Sequence, residues 1–238
     1  MRQKENSETS VWISNTDLIT GVMVIFLFLA SLLTQQVQAQ KQKLEELANL
    51  SMKARIELRD NLDQAFTDEE KEKYNLNLNV NDIKLGSAYF LDSVNQFAQN
   101  SSEIPPSFKA ELEVFLPKYI GAIAKCNSEY ITEIRIEGHT SSEWGTLTGD
   151  EAYYENMRLS QERTRAILQV ALALPQLASQ HDLIKDKLTA NGLSSSKLKY
   201  NPDGSENKVA SRRIEFRVVP NDADIVSRLN ALKQNDWK

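Results

Sequence analysis

Between Leu18 and Leu33 the chain carries no charged residue, and no other stretch is as apolar. Whatever the rest folds into must leave a place for this run. As a helix at 1.5 Å rise per residue, it extends roughly 24 Å. That falls short of a bilayer core of roughly 30 Å, so Val11 to Thr16, or residues from Thr34 onward, must complete a span. Asp17 then lies inside the membrane helix or at its mouth. A carboxylate there is costly to bury, which marks it as a functional site. The competing account is an interfacial helix cap, since Asn15, Thr16 and Asp17 are all good N-cap residues. A cleaved signal peptide fits poorly. The amino-terminal charges Arg2 and Lys4 are offset by Glu5 and Glu8. The apolar core exceeds the usual length of about 7–15 residues, and Thr34 to Gln40 offers no small-residue cleavage site. The run is expected to be a retained anchor. Lys41 and Lys43 after it balance Arg2 and Lys4 before it, so flanking charge does not set its orientation.

The remainder reads as a water-facing protein. Charged residues make up 26% of the 238-residue chain, in the globular range. A net charge of -5 gives no electrostatic reason to expect nucleic acid. The single cysteine, Cys126, excludes an intrachain disulfide. About 150 residues remain beyond the anchor and a polar linker, enough for one domain with its own core.

In chain order, residues 1–10 are a short polar tail and 11–35 the membrane helix. Residues 36–74 form a helical linker without Pro or Gly. Val37, Leu44, Leu47, Ala54, Leu58 and Ala65 share one heptad seam, interrupted by Gln40, Ser51 and Asn61. Two arrangements fit: a weak parallel coiled coil, or a single amphipathic helix lying on its own globular domain. The charged run Thr67 to Lys73 predicts a break or a fresh helix start. Residues 75–220 read as the globular domain. Asn75 to Val80 alternates strictly, the pattern of a half-buried strand, and Ile83 to Phe90 is strand-like with a turn at Gly86. Residues 92–104 read as a loop. Pro105-Pro106 opens a helix with apolar positions from Phe108 to Ile123. Ile131 to Glu137 alternates as a strand ended by Gly138. A long loop covers 139–157, and Leu159 to Leu174 is a helix stopped by Pro175. A helical turn near His181–Lys185, a strand over Leu188–Leu193, a loop over 194–208 and a strand over Arg213–Val219 follow. Residues 221–238 read as a polar terminal helix. The predicted fold class is α+β: a βαβαβ-type mixed sheet with helices on one face.

Three pieces gather around one helix start. Gly138-His139-Thr140 follows a strand. Tyr154-x-Asn156-x-x-Leu159-Ser160-x-x-Arg163-x-x-Ala166 runs into the next helix. Ser211-Arg212-Arg213 begins the last strand. Their order and spacing resemble the OmpA-like peptidoglycan-binding domain, over about residues 80–219. The resemblance implies that Tyr154, Asn156, Leu159 and Arg163 line a wall-binding groove. Arg163, placed in the first turns of the helix, is expected to pair bidentately with a stem-peptide carboxylate, helped by backbone N–H groups at the helix N-terminus. Ser160 buttresses the groove, and Arg212 and Arg213 hold the strand–helix junction. The family places an Asp directly after Gly-His-Thr to receive the ligand's amine. Here that position is Ser141, followed by Ser142 and Glu143, and Glu143 is expected to supply the charge. His139 reads as a satisfied loop histidine. With only His139 and His181, both far in sequence from Cys126, neither a Cys–His pair nor a metal site is credible. No catalytic constellation appears, so the domain reads as a binder and not an enzyme.

A single membrane helix with an acid near its start, joined by a helical linker to a wall-binding domain, is similar to the B subunits of flagellar-type (MotB-like) stators. Trp12 and the altered wall motif make it look closer to the stator-like B subunits of Zorya anti-phage defence systems. The resemblance implies a homodimer whose membrane helices stand inside a pentamer of separate MotA-like subunits, five A chains around two B chains. It implies a cytoplasmic N-terminus, a periplasmic domain on peptidoglycan and residence in a bacterial inner membrane. No cofactor is expected, only a translocated proton or sodium ion carried by Asp17, with Thr20 in support. Flagellar motility and passive wall anchoring are the alternative roles.

Overall fold

The computed structural model describes residues 2–91 and 97–221, with side chains from Leu18 onward except those of Leu91 and Ser128. Residues 222–238 of the helix expected over 221–238 lie outside these residues, as does the side chain of Asp17. The chain divides into two units, one containing Met1–Leu50 and the other beginning at Ser51.

The first unit is helical. Helix α1 runs Arg2–Ala65 without interruption, so the polar tail, the apolar run and most of the linker belong to one element. The side chains from Leu18 to Leu29 are exposed, among them Phe26 and Phe28. Among the described residues nothing buries this stretch, and it is long and apolar enough to cross a membrane.

In the second unit the linker seam turns inward. Val37 and Leu44 are exposed, but Leu58, Leu62 and Phe66 are buried. The portion of α1 from Ser51 onward therefore packs on the domain's own core. Thr67 ends the continuity. Its hydroxyl accepts from the Glu70 amide, and the Glu70 carboxylate accepts from the Thr67 amide at 2.9 Å. This reciprocal cap starts α2, Asp68–Lys73.

The sheet has four strands in the order β1-β4-β2-β3. They are β1 (Ala88–Leu91), β2 (Ile131–His139), β3 (Leu188–Gly192) and β4 (Arg213–Pro220). β4 pairs antiparallel with β1 and β2, while β2 and β3 are parallel. A parallel neighbour needs a crossover, which α4 (Gly149–Ala173) supplies, followed by α5 (His181–Lys187). Helix α3 (Pro106–Ala124) starts with Pro at its first position, where a missing N–H costs nothing. Ile134, Ile136, Phe90, Ile214, Phe216 and Val218 meet Phe108, Leu112, Phe115 and Tyr119 of α3 in one core. Phe115 lies 4.8 Å from Phe90 and 5.0 Å from Phe216, ring centre to ring centre. The α+β class with helices over a mixed sheet is therefore observed.

Several predicted boundaries differ. Residues 75–80 are not a strand. The side chain of Asn77 accepts from the Asn79 amide and that of Asn79 from the Asn81 amide, each at 3.0 Å. Asn75 adopts a positive φ of 45°. The alternating Asn residues thus bend their own backbone instead of offering it to a sheet. Among the described residues the following strand covers Ala88–Leu91 and not Ile83–Ser87. β2 continues through Gly138 to His139. α4 begins at Gly149, so the predicted loop over 139–157 is half helix. A short helix α6, Lys208–Ser211, precedes β4.

Candidate functional site

The face of α4 that meets the domain carries Ala152, Asn156, Leu159 and Arg163, all buried. Spacings of four, three and four residues set them on one stripe. Two glycines let this helix lie against the strands. A Cβ at Gly138 would stand 2.7 Å from the Ser160 carbonyl, and one at Gly192 would stand 2.5 Å from the Gln161 amide nitrogen. Ser160 locks the junction: its hydroxyl donates to the Met157 carbonyl and accepts from the Ser194 amide.

Beside this stripe is a groove of about 700 Å³. One wall is Phe97 to Asn100. Another is the turn after β2, with Thr140, Ser141, Glu143, Trp144 and Gly145. Asn156, Leu159 and Arg163 come from α4 and Arg212 from the entry to β4. Five expected residues thus converge: Ser141, Glu143, Asn156, Leu159 and Arg163. Tyr154 does not. It points to the other side of α4 and is 70% exposed. Arg212 was expected only at the junction but lines the groove, whereas Arg213 is buried beneath it.

Arg163 is anchored by the wall it faces. Its Nε donates to the Ser101 carbonyl at 2.9 Å and its Nη2 to the Ala98 carbonyl at 3.1 Å. Its guanidinium lies 4.7 Å from the Phe97 ring centre. It stands fourteen residues into α4, roughly 21 Å from the helix start. Helix-end N–H groups act within about one turn, so they do not assist Arg163 as expected. The positive charge at the groove comes from Arg163 and Arg212.

Negative charge enters from two places. Glu143 pairs with Lys208, and its backbone carbonyl accepts from Asn156 Nδ2 at 3.1 Å. Glu206 closes on the turn where the family Asp is missing: its oxygens accept from the Ser142 amide at 3.0 Å and the Ser142 hydroxyl at 2.5 Å. Glu206 escaped the sequence reading because it lies 64 residues from Ser142 in an unpatterned loop. The loop Phe97–Asn100 escaped it for the same reason.

Behind the groove, the sheet face opposite the apolar core is a buried charge network. His139 is a strand residue, not a loop one. Its Nε2 stands 3.7 Å from Glu137 and 3.6 Å from Glu215, beyond hydrogen-bonding distance. Burial, reinforced by the Arg213 charge, pushes His139 below the usual histidine range despite the two carboxylates. Burial opposes ionisation of Glu137, but His139, Arg217 and Arg135 outweigh it and lower its pKa. Among the described residues Glu137, His139 and Glu215 form the group close enough to share a metal, with ligand atoms within 4.8 Å of one another. Glu215 already faces Lys84 at 3.2 Å and Arg213 at 3.5 Å, so its charge is compensated by the chain itself.

Residues 96–217 match the OmpA family. The Zorya protein ZorB of Escherichia coli (strain Crooks) is 35% identical over 225 residues, covering 92% of this chain and 91% of that protein. The Zorya protein ZorB of Escherichia coli O139:H28 is 27% identical, covering 91% of this chain and 83% of that protein. Among solved structures, a MotB-like protein from Desulfovibrio vulgaris is 18% identical with a TM-score of 0.48, covering 75% of this chain and 99% of that one.

Proposed function

Because this chain belongs to the family of the Zorya protein ZorB and carries an OmpA-family domain, we propose that it is the wall-anchored B subunit of an ion-driven membrane stator acting in anti-phage defence. The observation that carries the reading is the pairing, on one chain, of the Arg163–Arg212 groove with an uncharged stretch of α1, Leu18–Leu33, whose apolar side chains are exposed. The helix crosses the inner membrane once, the domain lies in the periplasm, and the groove holds peptidoglycan.

In this reading the groove's two guanidiniums receive a stem-peptide carboxylate. Glu143 and the carbonyl-rich turn after β2 face its amine. Asn156 holds that turn in place through the Glu143 carbonyl. Asp17 binds the coupling ion on one side of the membrane and releases it on the other. Each charge that crosses 100 mV releases about 2.3 kcal/mol. A pentamer of MotA-like subunits turns around two copies of this chain, and the wall prevents those copies from turning with it.

Asp17→Asn tests this directly. Position 17 lies within α1 and not at its start, so Asn keeps the size of the residue but cannot carry a proton. The expected outcome is normal expression and wall binding with loss of both phage protection and ion flux. Protection and flux at the level of the unaltered chain would sink the ion-carrier role and leave a passive anchor.

A further inference from the structure

Tyr154 is the expected wall residue that the groove leaves out, and its surroundings are not those of an ordinary solvated helix face. It is 70% exposed, with Tyr153 at 41% and Leu147 at 37% beside it in sequence or space. Leu147, Asp150, Glu151, Tyr154 and Glu155 enclose a shallow depression of about 600 Å³. The ring offers a flat apolar surface with a polar tip. The acids around it repel anionic ligands such as phosphate or a bare carboxylate. A neutral, hydroxyl-rich ligand suits both features. The C–H face of a pyranose covers the ring, while hydroxyl and acetamide groups donate to the carboxylates.

The depression and the groove are separate, and one turn of the chain, Trp144 to Leu147, carries a lining residue of each. Trp144 lines the groove and Leu147 lines the depression, and the Leu147 amide donates to the Trp144 carbonyl at 2.9 Å. A ligand reaching from one to the other must pass α4, about 10 Å across. Three extended peptide residues cover about 10 Å. In peptidoglycan the stem peptide is joined to the sugar through its first residue, so the ligand has this reach.

We propose that the Tyr154 ledge is a subsite for the glycan strand of peptidoglycan, with N-acetylated hexosamine units stacked on the Tyr154 ring while the stem peptide occupies the groove. The proposal rests on the wall-binding reading of that groove. It divides the ligand between two sites, a charged one for peptide and a neutral one for sugar.

The test uses the full chain in detergent with three probes: intact sacculi, stem peptide free of sugar, and glycan strands stripped of stem peptides. Tyr154→Ala, on an exposed position, is expected to weaken sacculus binding about tenfold, a change of about 1.4 kcal/mol. Binding of free stem peptide should be unchanged, and Tyr154→Phe should restore sacculus binding. Stripped glycan should compete with sacculi for the unaltered chain and not for Tyr154→Ala. Sacculus binding by Tyr154→Ala equal to that of the unaltered chain overturns the ledge alone. Loss of a protein partner with sacculus binding intact assigns the ledge to a cationic peptide surface and also overturns it. Failure of the unaltered chain to bind either sacculi or stem peptide overturns the groove reading and the ledge together.

Discussion

At the scale of single residues, Arg163 joins two jobs that are usually separate. It presents charge to the groove and clamps the Ala98–Ser101 backbone that forms the groove's wall. Arg163→Ala should therefore weaken sacculus binding at least tenfold, consistent with about 1.5–3 kcal/mol for hydrogen bonds to a charged group. Arg163→Lys should restore little, because a point charge cannot reproduce the planar fork. A pull-down titration with sacculi measures both. His139 makes the stability pH-dependent. Its folded pKa lies below the unfolded value of about 6.5, so the unfolded state binds more protons in that interval. Stability is complete above the unfolded pKa and falls as pH drops through it. Thermal melting from pH 7.5 to 5.5 should show a declining midpoint, and His139→Gln should flatten the decline. A constant midpoint in the unaltered chain would show that His139 is not held neutral.

At the scale of elements, the contact between α4 and the strands is the tightest joint near the site. Gly192→Ala places a methyl carbon against the backbone of Gln161, so α4 must shift away from β3. Overpacking of this kind costs about 1–3 kcal/mol, and sacculus affinity should fall along with the melting temperature. Much of this architecture is legible in the sequence. The apolar stripe from Phe108 to Ile123, the alternation over Ile131–Glu137 and the stop at Pro175 follow from periodicity and proline chemistry. The Asn75–Val80 segment misleads because alternation of Leu with Asn counts as a strand pattern, while the Asn side chains compete for the backbone. The start of α4 at Gly149 was hidden because Thr148 forms no side-chain cap there. Five groove-lining residues, Ser141, Glu143, Asn156, Leu159 and Arg163, sit in or directly beside recognisable motifs. The opposing wall at Phe97–Asn100 and the brace from Glu206 arise only when distant segments meet.

At the scale of the whole molecule, the long α1 resolves its seam in two ways. Its distal part, with Leu58 and Leu62, is used by the domain's own core. Its proximal apolar positions, Val37 and Leu44, stay exposed and are available to a second copy or to partner helices. Co-purification with the MotA-like partner in detergent, followed by mass measurement, should give five partner chains to two copies of this one. An isolated monomer would remove the stator reading while leaving the groove's chemistry intact. The glycine joint has a mechanical meaning for an anchor. Because the backbone of α4 at Ser160 and Gln161 lies directly over Gly138 of β2 and Gly192 of β3, a pull on a ligand held by Arg163 finds little compliance at that layer. The load passes into the parallel β2–β3 ladder, where neighbouring hydrogen bonds can resist it together, so the domain is built to stay stiff under tension at the point where it grips.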